Sequence, residues 1–169
     1  MNNALTYCKV VDSAEGMQAF AATLAPFVRD DDLIILNGDL GAGKTCFVQG
    51  LAQGLGVDEP VTSPTFDILQ VYPQGRVQLN HFDLYRIESA DDLEDIGFFD
   101  IIESGGVSCI EWGAAYTDLL ANSFMDVFIK VQDDGRRRLT LRAIGTRARS
   151  LLTVWAHSDG VRMMQTTGE

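Results

Sequence analysis

Long apolar runs, paired cysteines and an excess of positive charge are all missing from this sequence. No apolar run reaches the roughly 18 residues that a membrane-spanning helix needs, and the N-terminus lacks the basic and apolar segments of a secretory signal. The three cysteines, Cys8, Cys46 and Cys109, lie far apart, which argues against a disulfide framework or a zinc site. These absences predict a cytoplasmic protein without a membrane partner.

Basic residues are outnumbered by acidic ones, 13 to 24, and the formal net charge is −11. Because phosphate contacts need Lys and Arg, we expect no DNA partner, and any RNA would be met through a partner protein or a local patch. The basic cluster of the sequence consists of Arg136, Arg137, Arg138, Arg142, Arg147 and Arg149. The simplest interpretation of this cluster is a solvated hairpin face.

The first third of the chain alternates helical and strand patterns. Asp12 followed by Glu15 resembles a capping box, and it predicts a helix that runs through Phe20 and Leu24 and ends near residues 26–29. Residues 33–36 form a short continuous apolar run, which is typical of a strand buried on both faces. A glycine-rich loop follows, and apolar residues at helical spacing then predict a second helix that Gly56 ends.

The rest of the chain predicts more strands than helices. A hairpin is expected at 66–72 and 76–82, short helices at 89–95 and 98–103, a buried strand at 107–110, a second hairpin around 127–131 and 139–143, and a final helix at 147–157. We therefore predict an α/β fold: a single P-loop NTPase-like domain over residues 1–169, three-layer α/β/α, with a mixed sheet and a C-terminal antiparallel hairpin. Residues 150–169 would form a C-terminal helix or tail.

The glycine-rich loop has the pattern Gly-x4-Gly-Lys-Thr and lies between a predicted strand and a predicted helix, the context that this phosphate-binding motif requires. Its backbone amides would form an anion nest at the helix N-terminus. Lys44 would neutralise the β- and γ-phosphates, and the Thr45 hydroxyl would bind Mg²⁺. The residues expected to bind ATP here are Asp39, Leu40, Gly41, Ala42, Gly43, Lys44, Thr45 and Cys46. No asparagine is followed by lysine, so the guanine-reading Asn-Lys-x-Asp motif is absent and adenine is favoured.

Two carboxylates, Asp83 and Glu111, directly follow predicted strands and should lie at the same sheet edge as the phosphate loop. Either could serve the metal or the attacking water, and either could instead be a capping or turn residue. The turn at 62–65 could act as a γ-phosphate-sensing switch or be an ordinary proline turn. His81 and Trp112 are more typical of packing or supporting positions than of catalysts.

Four segments together resemble the bacterial TsaE (YjeE) family. They are NGDLGAGKT at 37–45, TSPTF at 62–66, HFDLYR at 81–86 and IEW at 110–112, in family order and at family-like spacing. The resemblance covers about residues 12–145. It implies an ATPase, with ATP and Mg²⁺ as its cofactors, that works with the proteins TsaB and TsaD to place a threonylcarbamoyl group on the adenosine beside the anticodon of certain tRNAs. The tRNA would be met indirectly, through the complex.

The resemblance also implies roles for single residues. Lys44, Asp83 and Glu111 would be catalytic, with Thr45 and Glu111 as the magnesium ligands. Thr62, Ser63 and Thr65 would form the switch, with His81, Arg86 and Trp112 nearby. Ser13 and Arg136 would lie beside the adenine. Cys46 stands where a second threonine is common in the family, which would weaken side-chain help to the α-phosphate.

Two other functions remain compatible with the motif. A small-molecule kinase would need an acceptor pocket and an arginine-bearing lid, and the hairpin at 136–138 is a poor lid because lids are normally helical. A non-catalytic module would use ATP only to order a docking surface. The sequence offers no clear arginine finger beyond Arg86 and the 136–138 cluster, so an ATPase would be weak alone and stimulated by its partners.

Overall fold

A seven-stranded mixed sheet forms the centre of the protein, which we describe from a computed structural model over residues 4–120 and 122–158. The elements in chain order are β1 (Leu5–Val11), α1 (Ala14–Ala22), β2 (Leu33–Asn37), α2 (Lys44–Leu55), β3 (Leu69–Tyr72), β4 (Leu79–Asp83), α3 (Ala90–Asp95), α4 (Phe98–Glu103), β5 (Val107–Glu111), a 3₁₀ helix (Gly113–Leu119), β6 (Phe124–Val131), β7 (Arg137–Ile144) and α5 (Thr146–Ser158). The strand order is β1-β7-β6-β2-β5-β4-β3. The predicted α/β class and mixed sheet are confirmed.

The middle of the sheet is parallel. Strand β2 pairs in parallel with β5 on one side and β6 on the other, and β5 pairs in parallel with β4. Residues 33–36 of β2 are all buried, as the continuous apolar run predicts. Because parallel strands end at the same edge, the last residues of β2, β4 and β5 lie together: Asn37, Asp83 and Glu111.

The other side of the sheet is antiparallel and includes a strand that the sequence analysis missed. Strand β7 pairs with β6 and with β1, both antiparallel. In β1, buried Tyr7 and Val11 alternate with exposed Cys8 and Val10. A strand with only one covered face has no continuous apolar run, and this explains why the pattern was not recognised as a strand.

Helices cover the two faces of the sheet unequally. Helices α1, α2 and α5 cover one face, where Trp155 stacks on Phe20 with ring centroids 4.7 Å apart and meets Phe47 edge-on at 6.4 Å. On the other face, α3, α4 and the 3₁₀ helix pack on apolar residues of β2, β4 and β5, among them Phe82 and Ile110. The predicted three layers are present, and the second helical layer is incomplete.

Several predicted boundaries need correction. Helix α1 is capped by Ser13 rather than Asp12, since the Ser13 hydroxyl accepts a hydrogen bond from the Gly16 amide at 3.0 Å. It ends at Ala22, and Leu24 lies in the turns that follow. Strand β3 begins only at Leu69.

The C-terminal segment contributes to the core over residues 150–158, which belong to α5, while residues 159–169 lie outside the described residues. The Arg147 guanidinium anchors α5 by donating to both carboxylate oxygens of the buried Asp32, at 2.8 and 2.6 Å. Within the described ranges, no helix is long and apolar enough to cross a membrane.

Candidate nucleotide site

The loop between β2 and α2, which the sequence predicts to bind phosphate, contains glycines with positive φ. Gly38 has φ +145°, and a Cβ there would lie 2.4 Å from the Ile129 carbonyl oxygen, so only glycine fits. Gly43 has φ +113° and precedes the first residue of α2. The N-terminus of α2, with its free amides and positive dipole end, therefore faces the hollow of the loop.

Lys44 closes this loop with its own side chain. Its ammonium group donates to the carbonyl oxygens of Gly38 and Asp39, at 2.7 and 2.9 Å, and lies 4.0 Å from the centre of the Trp112 ring. Burial lowers the pKa of Lys44, and the carboxylates of Glu111, Asp83 and Asp39 counteract part of this shift. These acids favour the charged form of Lys44.

Glu111 connects the phosphate loop with β4. Its Oε1 accepts hydrogen bonds from the Thr45 hydroxyl and from Nε2 of His81, both at 2.8 Å. His81 is fully buried, and its Nδ1 has no partner among the described residues. The proton of a neutral His81 therefore belongs on Nε2, where it fixes one oxygen of the Glu111 carboxylate.

Asp83 lies opposite Glu111, where the ends of β4 and β5 pair. Its hydrogen bonds go mainly to the 62–65 turn rather than to the phosphate loop. Its Oδ2 accepts from the hydroxyls of Ser63 and Thr65, both at 3.0 Å, and its Oδ1 accepts from the Tyr85 amide at 3.0 Å. The carboxylate thus ties the 62–65 turn to the end of the sheet.

Two non-glycine residues with left-handed backbone conformations flank the two acids. Ile68, which follows the 62–65 turn, has φ 65°, and Trp112, which follows Glu111, has φ 62°. Such conformations cost about 1–3 kcal/mol each and tend to occur at functional sites. The surrounding contacts hold them in place: the Ile68 carbonyl accepts from the Asp83 amide, and the Trp112 amide donates to Leu36.

Two hollows adjoin the phosphate loop and share Gly41, Gly43 and Cys46. The first, of about 410 Å³, lies on the side of the acids. Its lining consists of Leu40, Gly41, Gly43, Lys44, Thr45, Cys46, Ser63, Thr65, Asp83, Tyr85, Glu111 and Trp112. The second, of about 370 Å³, is lined by Ser13, Ala14, Met17, Gly41, Ala42, Gly43, Cys46 and Arg137. Together they could hold an elongated phosphorylated ligand that crosses the loop.

Comparison with known proteins identifies the family of this chain. The family model described as "Threonylcarbamoyl adenosine biosynthesis protein TsaE" matches residues 11–139. This chain belongs to the TsaE family. It is 40% identical to the TsaE protein of Treponema pallidum over 129 residues, which are 76% of this chain and 95% of that protein. It is 37% identical to the Bacillus subtilis TsaE protein over 147 residues, 87% and 92% of the two chains.

The crystal structure of Bacillus subtilis YdiB superimposes with a TM-score of 0.81 at 30% identity, covering 94% of this chain and 99% of that one. The family expected from the sequence is confirmed.

Most residues predicted from the TsaE resemblance meet around the loop. Lys44, Thr45, Asp83, Glu111 and Trp112 line one hollow, with Ser63 and Thr65. Ser13 and Cys46 line the second, although the Ser13 hydroxyl is occupied in capping α1.

Five predicted residues line neither hollow. The Asp39 carbonyl accepts a hydrogen bond from Lys44, and His81 is buried beside Glu111. Thr62 is exposed beside the turn. The Arg86 guanidinium stacks over the Phe66 ring at 4.7 Å. Arg136 pairs at 2.7 Å with Asp134, both about half exposed, and lines a separate hollow beside Asp12.

Arg137 enters the second hollow in place of Arg136, and the sequence contained a signal for this. Strand residues alternate between the two faces of a sheet. Arg137 is two positions before the buried Leu139 and thus shares its face, whereas Arg136 precedes the first residue of β7. Extending the alternation of Leu139 and Leu141 back by one step identifies Arg137.

Proposed function

We propose that this TsaE-family chain binds ATP with Mg²⁺ and hydrolyses ATP to support threonylcarbamoyl modification of the adenosine beside the anticodon in tRNA, in a complex with TsaB and TsaD. The observation that carries the proposal is the convergence of Lys44, Thr45 and Glu111 on one hollow at the N-terminus of α2. The relatives named above are tRNA threonylcarbamoyladenosine biosynthesis proteins, which supports the biological setting.

Phosphate binding would use groups that are already oriented. The loop amides and the positive end of α2 attract anions. The ammonium group of Lys44 donates to two loop carbonyls, and phosphate oxygens would replace one or both of these acceptors. Charge-assisted hydrogen bonds to phosphate are stronger than those to neutral carbonyls, so the exchange is favourable.

Mg²⁺ fits the oxygen donors beside the loop. Thr45 offers a hydroxyl and Glu111 a carboxylate, joined by a 2.8 Å hydrogen bond. Mg²⁺ typically takes one or two protein oxygens and completes its shell with waters and phosphate oxygens. When bound, the ion would neutralise charge that develops on the phosphates.

The two acids would divide the work according to their hydrogen bonds. Both oxygens of Asp83 accept hydrogen bonds from the 62–65 turn or the Tyr85 amide, so we assign Asp83 to holding the turn against the site. Both bonds to Glu111 end on Oε1. This leaves Oε2 available, and we assign Glu111 to the metal and the attacking water.

A partner would complete this site. Among the described residues, no arginine lines the hollow that holds the two acids, and an arginine supplied by another protein can raise phosphoryl-transfer rates by roughly 10³ to 10⁵. Three apolar side chains surround that region with large exposed fractions: Leu40 at 88%, Phe66 at 82% and Tyr85 at 62%. Exposed apolar groups of this size are typical of protein contacts.

The test compares ATP turnover of the isolated chain with turnover after addition of TsaB and TsaD, at two salt concentrations. We expect slow phosphate release alone and faster release in the complex. Unchanged turnover at both salts would refute the partner-completed site. Transfer of phosphate to a metabolite would instead identify a kinase, and nucleotide binding without turnover under every condition would identify a binding module.

A further inference from the structure

One face of the antiparallel side of the sheet has no helix over it among the described residues. Helix α5 packs under β1, β6 and β7 on the face of Leu139 and Leu141. On the opposite face, Phe124 at the start of β6 packs against the apolar cluster that includes Phe82 and Ile110. The rest of that face, which we call the open face, carries Thr6, Cys8, Val10, Asp126, Phe128, Lys130, Arg138, Thr140 and Arg142. Helices α3 and α4 stop short of it, because they pack on the strands at the other side of the sheet.

The open face is basic in a protein that is acidic as a whole. Lys130 and Arg138 are direct cross-strand neighbours, and both are exposed. Like charges directly opposite each other destabilise a sheet. Yet neither side chain has an ion pair or hydrogen bond with the described residues. Such an uncompensated pair is better explained by an external anion than by folding.

A third cation, Arg142, extends this charge along β7. It lies opposite Asp126, the only acid of the open face. Asp126 accepts a hydrogen bond from the Asn37 side chain at 2.7 Å. Burial raises the pKa of Asp126, and this hydrogen bond and the charge of Arg142 oppose the shift. One acid against three cations leaves the open face of β6 and β7 with a net positive charge.

An aromatic ring lies within this charged surface. Phe128 is 47% exposed and lies directly opposite Thr140, between the row of Lys130 and Arg138 and the row of Arg142. Sheet faces that carry exposed aromatics beside cations bind single-stranded RNA by stacking bases on the rings and pairing phosphates with the cations. An acidic peptide would use the cations and leave the ring without a role.

We propose that the open face binds single-stranded RNA, with Lys130, Arg138 and Arg142 contacting phosphates and Phe128 stacking on a base. The choice of RNA rests on the proposed role in tRNA modification, where the region around the anticodon is single-stranded. The cationic face itself does not depend on that role. The net charge of −11 opposes long-range attraction, so binding by the isolated chain should be weak, on the order of the 10⁻⁴–10⁻⁶ M typical of non-specific sites.

The probe is a fluorescently labelled RNA hairpin with a single-stranded loop, titrated with the full chain at several salt concentrations. Arg138→Gln is matched by Arg29→Gln, an equal charge change at an exposed site away from the open face. Phe128→Ala is matched by Val154→Ala, an exposed apolar side chain on α5. Arg138→Gln should weaken binding several-fold and reduce the log–log salt slope by about 0.7. Phe128→Ala should weaken binding about tenfold, and both controls should match the parent chain.

Three outcomes would overturn the proposal. The first is no RNA binding at low salt. The second is equal binding by Arg138→Gln and Arg29→Gln, which places the RNA elsewhere. The third is competition by polyglutamate with no effect of Phe128→Ala, which identifies an acidic protein partner. ATP turnover of each variant is measured in parallel. Normal turnover with altered RNA binding isolates the open face from the ATPase, and absent turnover in the parent chain with intact RNA binding would count against the proposed ATPase alone.

Discussion

The two sides of the sheet differ in how they are covered, and their polar residues differ accordingly. Strands β2, β4 and β5 are buried on both faces, and their two carboxylates, Asp83 and Glu111, lie next to each other at the strand ends. Strands β1 and β7 are covered on one face, and along β7 the polar residues Arg138, Thr140 and Arg142 alternate with buried apolar ones. On the parallel side, the carboxylates lie together at the edge formed by the strand ends. On the antiparallel side, charged side chains are spread over one face of the sheet.

This difference suits two kinds of task. Glu111 and His81 have exposed fractions of 3% and 0%, and hydrogen bonds in such a dry environment hold a carboxylate in one orientation. Phosphoryl transfer depends on such fixed charges. A solvated face with long cationic side chains instead suits reversible contact with a large partner. The comparison therefore separates chemistry from recognition, and substitutions on each side can test it.

The largest effect should follow from Lys44→Ala. It removes the cation that faces the phosphates, and turnover should fall by at least about 10²-fold. ATP binding by isothermal titration and phosphate release are the measurements, with circular dichroism to confirm folding. A folded variant with parental binding and turnover would show that the loop does not hold phosphate.

Glu111→Gln should come next and should separate the two acids. The change keeps the shape, removes the charge and lowers hydrolysis by about 10²-fold, while nucleotide binding falls much less. Asp83→Asn keeps an acceptor for Ser63 or Thr65 and should lose less activity. Equal losses in both variants would contradict the division of roles, and parental activity in both would remove the carboxylates from the site.

Much of the parallel side could be predicted from sequence, because β2 is a continuous apolar run, β5 is mostly apolar, and the two candidate acids come at the ends of β4 and β5. Strand β1 could not be recognised in the same way, since its alternation of Tyr7 with exposed neighbours is short and follows no apolar run. The bonds from Ser63 and Thr65 to Asp83 were also beyond sequence reasoning. They depend on the path of an irregular loop, which has no periodicity to reveal it.

His81 offers a smaller effect that tests orientation on the parallel side. His81→Leu removes the Nε2 donor and leaves the Thr45 hydroxyl as the remaining donor to Glu111. Residues that orient a metal ligand typically contribute about 10- to 100-fold to activity or metal affinity. We expect about a tenfold loss of turnover and a higher Mg²⁺ requirement, with ATP affinity changed less.

The matched variant His81→Gln keeps an N–H donor of similar reach and should recover much of the activity. If the substitutions acted only by lowering thermal stability, the turnover of both variants would fall to a similar extent. The positioning role therefore fails if Gln and Leu behave alike, or if the Mg²⁺ dependence of the Leu variant equals that of the parent.

The smallest effect should come from Arg137, through which we propose that the antiparallel side contacts the nucleotide. Its side chain lines the second hollow, which shares Gly43 and Cys46 with the first hollow but includes neither Glu111 nor Asp83. Contacts made equally in the ground and transition states change affinity without changing the rate constant. Arg137→Gln should therefore raise the KM for ATP several-fold and leave kcat within about twofold of the parent. Arg136→Gln is the matched control, because Arg136 pairs with Asp134 at the surface and its substitution should not alter KM.

A fall in kcat for Arg137→Gln would break the separation of chemistry from recognition, since it would give the antiparallel side a part in the transition state. A raised KM for Arg136→Gln with no change for Arg137→Gln would instead restore the sequence-based choice of Arg136.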